Sequence, residues 1–184
     1  MWLFVYGSLM REDTLKKLGG ERFDGAFLRN YRRDFNKQSV ERWGTHARPG
    51  PTLGLEKARG AGCTGTLFEF SRKDAANVRA QVRRREGASF TLRRRPVRLP
   101  NGKEVVAHTP INSVTANSYI GNLSQQQRAQ MVLAAIGTAG SCYDYVCSIA
   151  KTLKKLGIRD QDVETFAQVV KRLRQSEKGA GVRP

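Results

Sequence analysis

The tetrapeptide Pro100-Asn101-Gly102-Lys103, set between two alternating runs at 89–99 and 104–110, constrains the fold more than any other feature of the chain. Asn-Gly supplies residues that tolerate the left-handed backbone of a tight turn, so the flanking runs are predicted to pair as an antiparallel hairpin. The rest of the first half is written in the same style. The apolar run Trp2-Leu3-Phe4-Val5-Tyr6 before Gly7 reads as a buried strand, and 25–31, 52–56 and 63–70 read as further strands. A short helix is predicted to stop at Gly19-Gly20 and another to occupy about 73–85, while 37–51 is a polar loop of functional length. The first half is therefore expected to be a mostly antiparallel sheet.

The second half changes period. Ser124 and Gln127 stand at capping-box spacing before an apolar-periodic segment that ends near Gly137 to Gly140. Two more helices follow at 143–156, closed by Gly157, and at 162–174, each with apolar residues recurring at three and four.

With 184 residues and 39% apolar content, the expected organisation is a single domain over 1–174 followed by a basic flexible tail at 175–184. No apolar stretch is long enough to span a membrane, and the opening residues lack a basic n-region and a small-residue cleavage site, which points to a cytoplasmic protein. Cys63, Cys142 and Cys147 are an odd number at no metal-ligand spacing, so neither structural zinc nor a disulfide framework is expected, and all three read as small core residues. The formal charge of +17 would draw in any polyanion. The basic clusters Arg83-Arg84-Arg85 and Arg93-Arg94-Arg95 nevertheless have few interleaved aromatics and no nucleic-acid-binding motif, so they read as solvated faces.

The turn that closes the first strand is chemically suggestive. Gly7 is able to take positive φ and Ser8 is a good cap, so the N–H groups of Tyr6-Gly7-Ser8-Leu9 could converge on one oxygen-bearing ligand such as a carboxylate. That turn opens a series of segments that resembles the ChaC-like, glutathione-specific γ-glutamylcyclotransferases. The series runs from Tyr6-Gly7-Ser8-Leu9 through Gly25 to Phe35, Gly44-Thr45 with Arg48-Pro49-Gly50, Leu53 to Glu56 and Gly62 to Gly65. It continues through Arg85-Glu86-Gly87, Asn117 to Gly121, and Gly137 to Gly140 with Asp144-Tyr145, and so covers about residues 1–170. The order and spacing of eight such segments carry the resemblance.

The resemblance implies an α+β fold, a small mixed β-barrel flanked by helices. It also implies a reaction without metal or cofactor. The α-amine of a small γ-glutamyl substrate, glutathione in this branch, attacks its own γ-amide carbonyl, and 5-oxoproline and cysteinylglycine separate. Glu86 matches the family's catalytic acid, which takes a proton from the amine and returns one to the departing nitrogen. Its ordinary pKa of about 4.3 would need raising by partial burial, and the three preceding arginines oppose this unless they point away. By the same resemblance the backbone of Tyr6, Gly7, Ser8 and Leu9 binds the substrate carboxylate, and Tyr119 and Tyr145 lie near the pocket. Glu69 and Glu104 fall inside predicted strands and match no family acid, and His46 and His108 are given no catalytic role.

The sequence departs from its relatives at Phe90, where a Tyr is usual, and at Arg42-Trp43-Gly44-Thr45, where His-Arg-Gly-Thr is common. Both bear on substrate choice. Two alternatives thus stand beside glutathione cleavage: the same chemistry on another γ-glutamyl amide or protected metabolite, and a catalytically silent binder of polyanions.

Overall fold

The computed structural model describes residues 1–11, 13–87 and 90–180. Five long or medium strands are present, β1 (Trp2–Val5), β2 (Glu21–Ser39), β3 (Gly50–Glu69), β4 (Phe90–Arg98) and β5 (Glu104–Asn112), with a short pair, β6 (Ile136–Gly137) and β7 (Gly140–Ser141). The helices are α1 (Asp13–Lys17), α2 (Ala75–Glu86), α3 (Gln125–Ala134), α4 (Cys142–Lys155) and α5 (Gln161–Ala180). The five main strands close into a barrel in the order β1-β3-β2-β4-β5. β1 is antiparallel to β3 and parallel to β5, so the barrel is mixed, as expected. By its contacts the chain forms two compact units, residues 1–32 with 55–116 and residues 33–54 with 117 onward.

In the first unit, β1 is the spine. Leu3, Phe4 and Val5 are at most 1% exposed, so both faces of the strand are buried, which is why it reads as an unbroken apolar run rather than an alternating one. α2 turns Ala75, Val78 and Val82 inward at helical spacing. The β4–β5 hairpin forms in the predicted place, with Arg98 opposite Glu104. Its turn is wider than two residues: Leu99 N–H donates to the Lys103 carbonyl at 2.7 Å, and Gly102 N–H to the Leu99 carbonyl at 3.0 Å. Pro100, with its fixed φ, sits at the position after Leu99 where such a turn favours it.

The sequence reading breaks β3 in two, at 52–56 and 63–70, and stops β2 at 31. Both strands instead run on, to 20 and 19 residues. Glycine-rich stretches resemble loops, but here a local irregularity absorbs them. Asn30 (φ 62°) and Gly60 (φ 81°) both adopt the left-handed backbone, and the Asn30 Oδ1 accepts the Gly60 N–H at 3.1 Å. A bulge of this kind lets long strands coil without ending.

The second unit packs α3, α4 and α5 together. Its core centres on Phe35 stacked on Phe166, ring centroids 4.4 Å apart. The Ser124–Gln127 capping box is present with both reciprocal bonds. Two partly buried ion pairs were not anticipated: Arg33 Nη1 to Asp160 Oδ2 at 2.8 Å, and Arg128 Nη1 to Asp34 Oδ1 at 2.7 Å. The stretch expected to be only a helix end near Gly137 to Gly140 contains the β6–β7 pair, in which Ile136 faces Ser141. α5 continues to Ala180, so 175–180 is helical where a flexible tail was expected. Within it Ser176 Oγ donates to the Arg172 carbonyl one turn back at 3.2 Å. The remaining four residues of the expected tail lie outside the described residues.

Gly50 is required for close approach rather than for conformation. A Cβ placed there would stand 1.9 Å from the Trp43 carbonyl oxygen and 3.0 Å from Cys142 Sγ. Gly50→Ala is expected to destabilise the protein by about 1–3 kcal/mol, because a backbone atom cannot move aside as a flexible side chain would. Urea denaturation measures this as a lowered midpoint at constant slope.

Candidate active site

β1 delivers Tyr6 and the turn behind it. Tyr6 is 5% exposed and its hydroxyl donates to the Pro110 carbonyl on β5 at 3.0 Å, which fixes the exit of the strand. A 3-10 turn follows at Ser8–Arg11, begun by Met10 N–H donating to the Gly7 carbonyl at 3.0 Å. The amides of Ser8 and Leu9 precede that first bond, so they have no acceptor within the turn itself. Buried Leu9 and Met10 anchor the segment. Gly7 is not among the residues with positive φ, so the turn is made in ordinary right-handed backbone and not in the left-handed form the sequence allowed.

Glu86 is the last residue of α2, and its side chain is 21% exposed. It lies neither in bulk solvent nor sealed in the core. Gly87 then ends the helix at φ 81°, ψ 173°, a conformation open essentially to glycine alone. Of the three arginines before Glu86, Arg83 and Arg84 are exposed, as hoped. Arg85 is not: its Nε stands 4.0 Å from Glu86 Oε1 and its Nη2 donates to Ser8 Oγ at 3.4 Å. One guanidinium therefore reaches both Ser8 in the turn after β1, 77 residues away in sequence, and the acid at the end of α2. Tyr6, Gly7, Ser8, Leu9 and Glu86 are thus gathered in the first unit. Ala88 and Ser89, part of the departure noted after Glu86, lie outside the described residues.

Tyr119 and Tyr145 both belong to the second unit. Tyr119 forms an isolated antiparallel bridge with Lys37. Its ring lies over Gly121, where a Cβ would come within 2.3 Å of the phenol oxygen. Tyr145 is 5% exposed on α4 and its hydroxyl accepts the Leu53 N–H at 3.1 Å. Trp43, the departure from the common loop sequence, stacks on it with ring centroids 4.8 Å apart. Cys142 is fully buried, its thiol donates to the Pro51 carbonyl at 3.2 Å, and burial pushes that thiol up to about 12, so it is inert packing. Cys147 is the exception to the core reading, being partly exposed in the groove between α4 and α5. The rival acids Glu69 and Glu104 and the imidazole His46 are exposed. Among the described residues no group of three or more His, Cys, Asp or Glu side chains is placed to hold a metal ion.

The structure adds two residues that sequence reasoning passed over. Thr109 is 0% and Asn112 4% exposed on β5. Among the described residues the Thr109 hydroxyl and both amide atoms of Asn112 have no hydrogen-bond partner. Leaving such groups unpaired costs about 1–3 kcal/mol each, so they point to a ligand or bound water. Asn112 faces Phe90 across the β4–β5 ladder and lies two residues beyond Pro110, which holds the Tyr6 hydroxyl. Nothing in the local pattern marks it, because an Asn closing a strand is ordinary turn chemistry.

The chain matches known proteins along most of its length. The family model described as ChaC-like protein matches residues 1–173. Gamma-glutamylcyclotransferase 2-3 of Arabidopsis thaliana is 28% identical, with 94% of this chain and 89% of that protein aligned. Gamma-glutamylcyclotransferase 2-1 of the same plant is 24% identical, over 94% of this chain and 82% of that one. In fold, the chain resembles the crystal structure of a yeast γ-glutamylcyclotransferase specific to glutathione, with a TM-score of 0.81 at 18% identity, covering 94% of this chain and 96% of that one. The match to the family model spans both units and every strand of the barrel, and on that basis the chain belongs to the ChaC-like family.

Proposed function

We propose that this protein is a γ-glutamylcyclotransferase that cleaves glutathione to 5-oxoproline and cysteinylglycine. The observation that carries the reading is the single Arg85 guanidinium, which spans from Ser8 in the turn after β1 to Glu86 at the end of α2. In this reading the turn that receives the substrate carboxylate and the residue that carries the proton lie within reach of one side chain.

The chemistry follows from that placement. The α-carboxylate of the γ-glutamyl group is received by the Ser8 and Leu9 amides, with Arg85 beside them as a fixed positive charge. Held by one end, the substrate folds back until its amine reaches its own γ-carbonyl carbon, and forcing this proximity supplies much of the rate. Glu86 removes a proton from the amine as the new C–N bond forms, then gives it to the cysteinyl nitrogen as the old C–N bond breaks. No proton is gained or lost overall, and no water enters. Tyr119 and Tyr145 are assigned to substrate orientation on the family resemblance.

Asn112 completes the pocket in this reading. Its buried carboxamide can donate and accept at once, which suits a γ-glutamyl amide. Asn112→Leu is expected to leave stability unchanged or raise it, since an unpaired buried amide is replaced by an apolar group of similar size. The same change should lower kcat/KM for glutathione about 10-fold, the loss of one hydrogen bond of roughly 1.4 kcal/mol. Urea denaturation together with initial rates of 5-oxoproline release separates the two effects. Equal activity in this variant would remove Asn112 from the site.

The substrate is tested directly by following 5-oxoproline on glutathione and on a set of other γ-glutamyl amides. Phe90, which carries no hydroxyl where relatives have Tyr, faces Asn112 and is the position through which preference among them would be set. Release of 5-oxoproline from none of them would overturn the assignment.

A further inference from the structure

The first unit contains a cavity of about 560 Å³ at the end of the barrel where β1 and α2 begin. Trp2, Arg72, Arg79, Arg94, Val106 and His108 line it, and no carboxylate does. The three arginines come from the segment before α2, from α2 and from β4. Among the described residues none of them is ion-paired. Arg79 has only a weak contact, Nη1 to Met1 Sδ at 3.7 Å. Glu69 faces Trp2 across the β1–β3 ladder and Asp74 precedes α2, but the first is exposed and the second accepts the Ser71 hydroxyl at 2.6 Å; neither lines the cavity.

Three unneutralised guanidiniums around one concavity repel each other, and an anion that bridges them removes the repulsion. His108 reports the same field. It lies opposite Arg94 in the ladder, and its Nδ1 is buried without a hydrogen-bond partner. Burial first, then the charges of Arg79 and Arg94, hold its imidazole below the ordinary histidine range. Beside this basic wall are an apolar one, Val106 at 52% exposure, and the Trp2 indole.

We propose that this cavity is a binding site for a small polyphosphate-bearing anion, its phosphate groups on Arg72, Arg79 and Arg94. The site is distinct from the one around Glu86. Trp2 begins β1 and Ser8 lies in the turn beyond its far end, and the strand from Trp2 to Val5 alone spans about 10 Å. Ala75 and Glu86 are at opposite ends of α2, about 17 Å apart. The proposal does not depend on the cyclotransferase reading.

Calorimetric titration of the whole chain with sodium triphosphate, in about 0.15 M salt where long-range attraction is screened, tests it. Saturable binding to one site is expected, weakened at least 10-fold by Arg79→Gln and by Arg94→Gln. Lys151→Gln in the lysine-lined groove between α4 and α5 should leave it unchanged. The His108 imidazole, followed by NMR in the unaltered protein, should titrate at higher pH when triphosphate is bound. ATP binding more tightly than triphosphate would support the site and place a nucleoside on Trp2, and equal binding would support it as a seat for the phosphates alone. Binding that does not saturate, that all variants weaken alike, that glutathione displaces, or that leaves His108 unmoved would overturn the proposal.

Discussion

Glu86→Gln is expected to lower the rate of 5-oxoproline release from glutathione by about 10²–10⁴-fold, the usual contribution of a positioned acid–base group. Glutamine keeps the shape and one acceptor oxygen but can neither take the proton from the substrate amine nor carry it to the leaving nitrogen. The side chain ends α2 at partial exposure, and Arg85, 4.0 Å from it, also donates to Ser8 Oγ. Folding stability should therefore change by less than about 0.5 kcal/mol, as for a substitution outside the core. A urea curve coincident with that of the parent protein, alongside the lost turnover, gives Glu86 a chemical role. Full activity in this variant would leave the proposed proton transfer without a carrier.

The second large effect concerns stability. Asp160→Ala is expected to destabilise the second unit by about 3–5 kcal/mol, the cost of removing one partner from a buried ion pair. Arg33 is 1% exposed and Asp160 12%, so the guanidinium left behind could not reach bulk water. The same carboxylate also accepts the Val163 N–H at 3.1 Å and so caps α5. A double replacement, Arg33→Met with Asp160→Leu, should recover most of the loss, because an apolar pair of similar volume avoids the buried charge altogether. Thermal and urea unfolding of the single and double variants decide this, and a single variant within 1 kcal/mol of the parent would refute it.

These two residues show where sequence reading succeeds and where it stops. Asn101-Gly102 and the Ser124–Gln127 box are local signals, each formed by residues a few positions apart, and both elements stand where they were expected. Gly60 misled because its value lies in a partner, Asn30, that a window on β3 does not include. The Arg33–Asp160 pair joins residues 127 apart, and no periodicity records such a match. The end of α5 was misjudged because a polar segment can extend a helix that is already anchored by its apolar face. Within the candidate site, the turn at Tyr6 to Leu9 was singled out from its strand and its glycine, although Gly7 does not take the positive φ that reading allowed. Glu86 was legible only through the family register, since an isolated glutamate at a helix end is unremarkable chemistry. Arg85 and Asn112 were not legible at all: one matters by what it reaches, the other by what it lacks.

The position of β1 has a consequence for how the protein is made. Trp2 and Leu3 complete their pairing only with Ala107 and His108, and Tyr6 is secured only by Pro110. More than half of the polypeptide must therefore leave the ribosome before the opening segment can settle between its two neighbours. Such distant closure slows folding. The earliest strand of the barrel is thus among the last to acquire its final surroundings, and the turn that follows it settles late, together with the barrel's closing seam.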